Sequence, residues 1–351
     1  MKVLMLGGTG VISTDIAELS VRHGCEVTIT TRGNRPAPAG VECLQCDAHD
    51  PQALEGKVRN REFDVVADFL SFTPQQLTAK LRALRGHYGQ YIFLSSCAVY
   101  DRGYGHMGGG LSAIACGEHG RISEAHTPTA NFGWDYARNK IACEHELLKE
   151  HLLYGSRFTI VRPAETYNRR RVPGTFVCDG RWYTQIDRIL KGKPVIVHDD
   201  GSARCPFTHA EDFAKGFVGL YCNPAAYGEA FHITTDELLT WRQVAQTIAS
   251  ALGVEANICC ISTEKLVKAM PVSNLGDTYG MLACAKAFDC PGYDNAKIRS
   301  AVPGFLCEIS FREGVRRILE HYATHPEERT VDETWGRAMD SLAEIQGVSG
   351  A

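Results

Sequence analysis

Tyr136 and Lys140 stand four residues apart in the segment Tyr136-Ala137-Arg138-Asn139-Lys140. If this segment is helical, the spacing places the phenol and the ammonium group on one face of the helix. A free tyrosine loses its proton only at about pH 10, and an adjacent ammonium group lowers the pKa of the phenol because it stabilises the anion. Tyr136 could then take the proton from an alcohol while hydride leaves the same carbon, or return a proton to a ketone. The pair therefore predicts acid–base chemistry at a carbon-bound oxygen.

Two serines lie upstream, at the start of the S-S-C-A-V-Y run at residues 95–100. The run follows an apolar segment, residues 91–95, whose composition is typical of a buried strand. The carboxyl ends of such strands line the ligand crevice of a doubly wound sheet. We therefore expect Ser96 to donate a hydrogen bond to the reacting oxygen. Ser96, Tyr136 and Lys140 are the predicted catalytic set.

A glycine-rich turn, G-G-T-G-V-I-S at residues 7–13, lies between a predicted strand and a predicted helix. Gly7 and Gly10 let the backbone turn sharply and approach a pyrophosphate, whose charge suits the N–H groups and positive end of the helix. Ser13 occupies the position where a third glycine is usual, so we expect slightly looser packing there. In this setting the pattern predicts a dinucleotide site rather than a turn without a ligand. The residues expected to contact the dinucleotide are Gly7, Thr9, Gly10, Val11, Ile12, Arg32, Arg35, Asp47, Phe69, Leu70, Ser95, Tyr136, Lys140 and Pro163.

The end of the second predicted strand decides between NAD and NADP. An acidic residue there binds the ribose 2′-hydroxyl of NAD, whereas this chain has Thr31 followed by Arg32 and Arg35. A guanidinium group suits a 2′-phosphate, so the sequence favours NADP over NAD, with solvated arginines as the alternative. Asp47, at the end of the third strand, is expected to meet the adenine amino group.

Apolar segments alternate with helical periodicity through the first half of the chain, which predicts an α/β fold with a doubly wound (Rossmann) parallel sheet. The predicted strands are residues 2–6, 26–31, 41–46, 65–70, 91–95 and 158–161. The predicted helices are residues 14–23, 74–84 and 135–152.

The second half has irregular segments rich in proline, glycine and aromatic residues, with helices predicted at residues 182–190 and 241–252. We predict a dinucleotide-binding domain over residues 1–165 and a smaller substrate-binding lobe over residues 166–351. Segments near residues 205–234, including a strand at 230–234, are expected to return to the main sheet. The glycine-rich residues 103–120 are expected to be a surface insertion, with a lid as the alternative. No function is predicted for the charged tail, residues 325–351.

Composition argues against several classes of partner. The formal net charge of −4 lacks the basic excess that nucleic acid binding requires. The first residues lead straight into the glycine turn without a secretion signal, so the 14 cysteines are expected to be thiols in the cytoplasm. Cys43 and Cys46 form a lone C-x-x-C pair without a second pair at zinc spacing, so no metal is expected. No apolar run approaches the roughly 20 residues of a membrane span, which leaves a small molecule as the expected partner.

Taken in order, these motifs resemble those of extended short-chain dehydrogenases/reductases, the NAD(P)-dependent epimerase/dehydratase family. Arg162-Pro163 is similar to the nicotinamide-side turn of the family, and F-T-H-A-E-D at residues 207–212 is similar to its later histidine–aspartate segment. The resemblance covers about residues 1–320. It implies a Rossmann lobe, a tightly held NAD or NADP, chemistry on sugars and nucleotide sugars, and a homodimer formed through paired long helices.

The resemblance also bears on the reaction. Relatives that eliminate water carry an Asp-Glu pair after the catalytic hydroxyl residue, and decarboxylating relatives carry a glutamate two residues before the tyrosine of the S-S-x-x-V-Y run. Cys97 and Ala98 stand there in this chain, so both reactions are disfavoured. We expect an epimerase acting through a keto intermediate, with a dehydrogenase or ketoreductase as the alternative. A non-catalytic, cofactor-bound binding protein is the third possibility, which the complete serine, tyrosine and lysine set disfavours.

The substrate has two alternatives. Nucleotide-sugar epimerases of the family place an arginine for the diphosphate four residues before the histidine that matches His209, and Cys205 stands there. Arg204 or residues 169–171 could supply that charge from elsewhere. A sugar, glycoside or similar polyol without a nucleotide therefore competes with a nucleotide sugar. The residues expected to contact the substrate are Cys97, Glu165, Arg169, Trp182 and Arg204.

Overall fold

The computed structural model describes residues 1–100, 121–124, 135–273 and 289–346. The strands of these residues are β1 (Lys2–Leu6), β2 (Glu26–Thr31), β3 (Glu42–Gln45), β4 (Phe63–Asp68), β5 (Tyr88–Leu94), β6 (Phe158–Arg162), β7 (Glu165–Tyr167), β8 (Val195–His198), β9 (Arg204–His209), β10 (Glu229–His232), β11 (Leu238–Thr240) and β12 (Ile258–Ile261). The helices are α1 (Ser13–Arg22), α2 (Pro51–Val58), α3 (Pro74–Leu84), α4 (Asp135–Tyr154), α5 (Tyr183–Leu190), α6 (Ala210–Gly219), α7 (Trp241–Ala251), α8 (Thr263–Ser273), α9 (Ala296–Ala301), α10 (Phe311–Thr324) and α11 (Glu333–Glu344).

A parallel sheet in the order β10-β6-β5-β4-β1-β2-β3 forms the centre of the molecule. Along β1, Val3 and Met5 pack into a core on the side of α1 and α6, whereas Leu4 and Leu6 pack into a core on the side of α2, α3 and α4. Successive side chains of a strand point to opposite faces, so a continuous apolar run is what a sheet covered on both sides requires. The predicted doubly wound sheet is confirmed.

The predicted elements agree with the structure to within a few residues. The largest offset is at the start of β5, which begins at Tyr88 instead of residue 91. In the first half of the chain, α2 was not predicted from the sequence; Asp50 accepts hydrogen bonds from two N–H groups of its first turn, and Leu54 and Val58 point into the core. Two buried positions are too few to show a helical period.

The second half of the chain forms a three-stranded sheet, β11-β9-β7, and a two-stranded pair, β12-β8. Ile186, Phe207, Trp241 and Phe311 belong to one buried cluster, which joins α5, β9, α7 and α10. From the segment near residues 205–234, β10 pairs with β6 in the main sheet and α6 packs beside α1, whereas β9 lies in the three-stranded sheet.

The C-terminal segment has a packing role. Met339 and Leu342 of α11 share a buried cluster with Ile196 of β8 and Ile261 of β12. Residues 103–120 lie outside the described part of the chain. None of the described helices combines the length and the apolar composition needed to cross a bilayer.

Candidate active site

Ser96, Tyr136 and Lys140 come together beside the carboxyl end of β5. Ser96 follows β5, and its Oγ accepts a hydrogen bond from Ala98 N at 3.1 Å. Tyr136 lies in the first turn of α4, and its side chain is hydrogen-bonded to that of Ser96. Lys140 follows one turn later and places Nζ 5.7 Å from the centre of the Tyr136 ring. This arrangement can hold a hydroxyl or carbonyl oxygen and exchange a proton with it.

The Lys140 amine is buried and is held by backbone groups. Nζ donates to Leu94 O at 2.7 Å and to Ser71 O at 2.8 Å, and it lies 4.9 and 4.8 Å from the ring centres of Phe72 and Phe93. These two bonds use two of the three donors of an ammonium group. Burial lowers the pKa of Lys140 from 10.5 to about 8, which keeps the amine charged at neutral pH.

The pKa of Tyr136 differs from the sequence expectation. Burial raises the pKa of the phenol above its usual value, the hydrogen bond with Ser96 acts in the opposite direction, and the negative charge of Glu165 adds to the rise. The expected lowering by Lys140 is wrong for this state of the site, because the ammonium group is directed at two backbone carbonyls. The phenol of Tyr136 is therefore protonated at neutral pH.

A buried chain of polar side chains lies behind Ser96. Ser95 Oγ donates to Glu144 Oε1 at 2.6 Å, and Arg162 donates to both carboxylate oxygens of Glu144 at 3.0 and 2.6 Å. Arg162 also donates to the Tyr100 hydroxyl, which lies 2.6 Å from His232 Nε2. Because a guanidinium group can only donate, Tyr100 accepts from it and donates to Nε2, and burial lowers the pKa of His232 to about 3. His232 is thus neutral, with its proton on Nδ1.

Glu144 was missed by the sequence analysis although a signal was present. It follows Lys140 by four residues, so Tyr136, Lys140 and Glu144 share one face of α4. Lys140 binds the backbone at the end of β5, and Glu144 binds Ser95 and Arg162 next to it. The polar face of α4 therefore determines how the helix sits on the sheet.

The glycine turn leaves no space for larger side chains. Gly7 has φ of +81°, a conformation that favours glycine, and a Cβ there would lie 2.7 Å from Leu70 Cγ. A Cβ on Gly8 would collide with the side chain of Ile29. Ile12 at the N-cap of α1 has no side-chain acceptor, and although Thr14 N donates to Gly10 O, a remaining N–H group of the first turn can bind an anion. A pyrophosphate fits this chemistry.

Ser13 also differs from the sequence expectation. Its side chain is buried, and its Oγ accepts a hydrogen bond from Gly10 N at 2.9 Å. Thr14 Oγ1 donates to Gly10 O at 2.8 Å. The Ser13 hydroxyl therefore bridges the turn by a hydrogen bond, and the packing around Ser13 is not loosened.

The other predicted cofactor residues lie at the carboxyl ends of the central strands. Arg32 and Arg35 are exposed in the loop after β2, and Arg35 Nη1 approaches Thr9 O at 3.4 Å. Asp47 is exposed after β3, where its Oδ1 accepts a hydrogen bond from His49 N. The half-buried Phe69 and Leu70 follow β4, and Pro163 follows β6 with its carbonyl accepting from Cys97 N at 2.9 Å. These positions suit a dinucleotide that runs across the edge of the sheet.

Carboxylates neutralise the arginines that were considered for the substrate. The pairs are Arg169–Glu18, Arg170–Glu328, Arg171–Glu165 and Arg204–Asp289. Arg204 donates two hydrogen bonds to Asp289, each at 2.8 Å. A substrate phosphate would therefore have to displace a carboxylate to reach these guanidinium groups.

The remaining predicted substrate residues divide into two groups. Cys97 is buried beside Ser96 with its Sγ 3.1 Å from Arg162 O, and Glu165 is near enough to raise the pKa of Tyr136. Trp182 is half-buried and packs against the buried cluster that joins α5, β9, α7 and α10. The structure thus brings Cys97 and Glu165 close to Ser96 and Tyr136, and it places Trp182 in a packing position. Among the described residues, no group of three histidine, cysteine, aspartate or glutamate side chains could hold a metal ion.

Similarity to known proteins covers most of the chain. The model of the NAD dependent epimerase/dehydratase family matches residues 3–233. The 2'-dehydrokanamycin reductase of Streptomyces kanamyceticus is 25% identical over 271 residues, which cover 75% of this chain and 70% of that protein. The chloroplast stem-loop binding protein of 41 kDa b from Arabidopsis thaliana is 26% identical over 269 residues, which cover 72% of this chain and 63% of that protein.

A solved structure extends the similarity to the whole fold. The UDP-glucose 4-epimerase of Thermotoga maritima superposes with a TM-score of 0.71 at 16% identity, over 93% of this chain and all of that chain. At this level of identity the match shows a shared fold.

Proposed function

Since the chain belongs to the NAD dependent epimerase/dehydratase family, we propose that it transfers a hydride between NAD(P) and a secondary alcohol or ketone of a sugar or sugar derivative. One observation carries this proposal: the side chains of Ser96 and Tyr136 are hydrogen-bonded, and the Lys140 amine lies 5.7 Å from the Tyr136 ring. The set lies at the carboxyl end of β5, and the glycine turn, which suits a pyrophosphate, follows β1 at the same edge of the parallel sheet, with β4 between the two strands.

Each of the three side chains has one task in this proposal. Ser96 donates a hydrogen bond to the reacting oxygen and fixes its position. Tyr136 gives that oxygen a proton in reduction and removes the proton in oxidation. Lys140, charged below about pH 8, holds α4, which carries Tyr136, against the end of β5 through its hydrogen bonds to Leu94 O and Ser71 O. The dinucleotide, when bound, supplies or accepts the hydride.

Epimerisation through a keto intermediate is the first reaction that we propose. It needs hydride removal from one face of a carbon and hydride return to the other face, so the cofactor ends each turnover in its starting state. The same three side chains serve both half-reactions, because the proton returns along the path by which it left.

Reduction of a ketone without epimerisation is the second candidate. The raised pKa of Tyr136 favours it, because the phenol holds at neutral pH the proton that reduction requires. The relative from Streptomyces kanamyceticus is named as a reductase, which also supports this candidate.

The paired arginines bear on the substrate of either reaction. Arg169 and Arg204 are each bound to a carboxylate, so neither is ready to receive a diphosphate. Glu165 is bound to Arg171 and also acts to raise the pKa of Tyr136, so Arg171 is not ready to receive a diphosphate either. We therefore propose a sugar, glycoside or related polyol without a nucleotide.

The cofactor preference and the binding roles of the two parts of the chain belong to the same proposal. Arg32 and Arg35, both exposed after β2, favour NADP over NAD. Residues 1–165 would bind the dinucleotide and residues 166–351 would mainly bind the substrate, with α6 and β10 returning to the first lobe.

We also propose a homodimer. Leu148, Leu152 and Leu153 of α4 are exposed large apolar side chains, which a second copy of the helix could cover. A monomeric mass from light scattering at micromolar concentration would contradict this. A reducing compartment such as the cytoplasm fits the twelve described cysteines, which are not joined by disulfides.

A binding protein without catalytic activity is a third candidate, since one relative is named for binding a stem-loop. The net charge of −4 and the neutralised arginines disfavour a nucleic acid partner. The intact set of Ser96, Tyr136 and Lys140 disfavours loss of catalysis.

The first experiment identifies the cofactor and then the reaction. Protein purified without added nucleotide is denatured, and the released nucleotide is identified by mass spectrometry. Candidate sugars are then tested for epimer formation and for a change in reduced nicotinamide absorbance. An epimerase forms product without a net absorbance change, whereas a reductase consumes NAD(P)H in equal amount with the ketone. A protein that neither releases nor binds NAD(H) or NADP(H) contradicts the proposed function.

A further inference from the structure

A second buried lysine lies near Lys140. Lys80 of α3 and Asp68 at the end of β4 form an ion pair with Nζ 3.2 Å from Oδ1, and the two side chains are 1% and 0% exposed. Removing both charges from water is costly, so a pair of this kind is weak evidence for stability alone. Its position next to the catalytic set suggests a functional reason.

Asp68 is surrounded by donors. Its carboxylate accepts hydrogen bonds from Leu70 N at 2.9 Å, Ser71 N at 3.1 Å and Tyr91 Oη at 2.7 Å, in addition to the Ser71 hydroxyl and Lys80. Burial alone would raise the pKa of Asp68, but Lys80 and these donors hold it below its usual value. The carboxylate is therefore ionised at neutral pH, and its geometry is set from several directions.

Ser71 connects this pair to the catalytic lysine. Lys80 Nζ donates to Ser71 Oγ at 2.9 Å, and Lys140 Nζ donates to Ser71 O at 2.8 Å. Two ammonium groups thus bind the same residue, one through its side chain and the other through its backbone. The position of the Ser71 carbonyl, on which Lys140 depends, follows from the bonds that Asp68 and Lys80 make.

We propose that the buried pair of Asp68 and Lys80 is a positioning device, which holds Ser71 in place for Lys140 and sets the charge of the Lys140 amine. The importance of that charge for turnover rests on the proposed function, whereas the charge itself can be measured without substrate.

Asp68 and Lys80 change the pKa of Lys140 in opposite directions. Burial lowers the pKa of Lys140, Asp68 raises it, and Lys80 lowers it. The titratable side chains around the amine are Asp68, Lys80, Tyr136, Cys143 and Glu144. Removing the carboxylate therefore leaves an uncompensated cation next to Lys140, and removing the cation leaves an uncompensated anion.

The test measures the titration of Lys140 in the cofactor-free protein by NMR of lysine labelled with 13C at Cε, with the signal assigned by its loss in Lys140→Arg. We expect a wild-type midpoint of about 8. Asp68→Asn should lower the midpoint and Lys80→Met should raise it, each by roughly one pH unit, and the double variant should return close to the wild-type midpoint. Shifts in the same direction, or no shift in either single variant, overturn the proposal.

Tyr91→Phe is the matched control. It removes one uncharged donor from Asp68 while leaving both charges in place, so it should move the Lys140 midpoint less than either charge variant. A larger shift in Tyr91→Phe than in Asp68→Asn contradicts an electrostatic role for the pair.

A measurement on the wild-type protein covers the case in which the charge variants do not fold. The Asp68 carboxyl, followed by NMR of 13C-labelled aspartate, should remain ionised from neutral pH down to about pH 4, because its pKa lies below the usual value. Uptake of a proton by Asp68 between about pH 5 and pH 8 overturns the proposal, since the anion would be absent where Lys140 titrates.

Turnover separates this inference from the proposed function. If the Lys140 midpoint shifts as expected and the alkaline limb of turnover follows it, both are supported. If the midpoint shifts while the alkaline limb of turnover stays in place, the pair of Asp68 and Lys80 sets the charge of Lys140 as proposed, and the proposed catalytic role of Lys140 is contradicted.

Discussion

Lys140 Nζ lies 2.7 Å from the carbonyl oxygen of Leu94, the last residue of β5. The bond fastens the helix that carries Tyr136 to the strand that presents Ser96. Because both residues act on one oxygen in the proposed reaction, a change in this contact would separate the proton donor from the residue that orients the substrate. The geometry of the site therefore depends on a backbone carbonyl as much as on the catalytic side chains.

Tyr136→Phe should lower turnover by about 10²- to 10⁴-fold, because it removes the acid–base group and keeps the ring. Cofactor affinity should stay nearly unchanged, as measured by titration of NADPH binding. Tyr154→Phe, at the exposed end of the same helix, is the control and should leave turnover intact. Unaltered turnover in Tyr136→Phe would remove this residue from the mechanism.

Turnover should fall as the pH rises through about 8, since burial brings the pKa of Lys140 to that value and the neutral amine binds the Leu94 and Ser71 carbonyls, which hold α4 in place, less strongly than the ammonium group does. Lys140→Arg keeps a charged group at all working pH values, so any remaining activity should lose this alkaline limb. The measurement is kcat/KM from about pH 6 to about pH 10. An alkaline limb that is identical in Lys140→Arg would assign it to another group.

Glu165→Gln should lower the pKa of Tyr136, because the substitution removes a negative charge that opposes the phenolate. Alcohol oxidation requires the phenolate, so its acidic limb should move to lower pH by up to about one unit. The control is Glu165→Asp, which retains the charge and should shift the limb less. A shift to higher pH in Glu165→Gln would contradict this electrostatic effect.

Arg32→Ala should weaken NADPH binding by about 10- to 100-fold through loss of a charge-assisted bond to the 2′-phosphate, and NADH binding should change by less than about twofold. Arg59→Ala, a similarly exposed arginine after α2, serves as the control. Dissociation constants from fluorescence titration test the prediction. Equal losses of affinity for NADPH and NADH would show that Arg32 does not bind the 2′-phosphate.

Asp15→Asn should stabilise the protein at alkaline pH. Asp15 is 2% exposed, and its Oδ1 lies 3.9 Å from Arg169 Nη1. Burial raises the pKa of Asp15 from 3.8 to about 7, with Arg169 acting against the rise. The folded state thus keeps a proton that the unfolded state releases, so the contribution of Asp15 to the free energy of unfolding is lost as the pH rises from about 4 to about 7.

Denaturant unfolding at two pH values tests this prediction. At pH 8 the Asp15→Asn variant should be more stable than the wild type by about 1 to 3 kcal/mol, and at about pH 4 the two should be similar. Asp179→Asn, at an exposed loop position, should change neither value measurably. A variant that is destabilised at pH 8 would show that the attraction between Arg169 and the ionised Asp15 carboxylate outweighs the cost of burying the charge.

Local spacing in the sequence determined much of this protein. The order of strands and helices, the glycine turn before α1, and the shared face of Tyr136 and Lys140 all depend on residues a few positions apart. For the same reason Glu144 could have been found, since it continues the four-residue spacing on α4. Such features depend on local spacing and do not require contacts between distant parts of the chain.

Only the tertiary structure decided which charged side chains are neutralised by a partner and which are not. Asp289 binds Arg204, and Asp68 binds Lys80, although the partners come from different elements and no local pattern relates them. The raised pKa of Tyr136 arises in the same way, because desolvation reflects the packing of all the elements around the phenol. Spacing along the chain determines which side chains can share a face, whereas the energy of a charge depends on everything that packs around it.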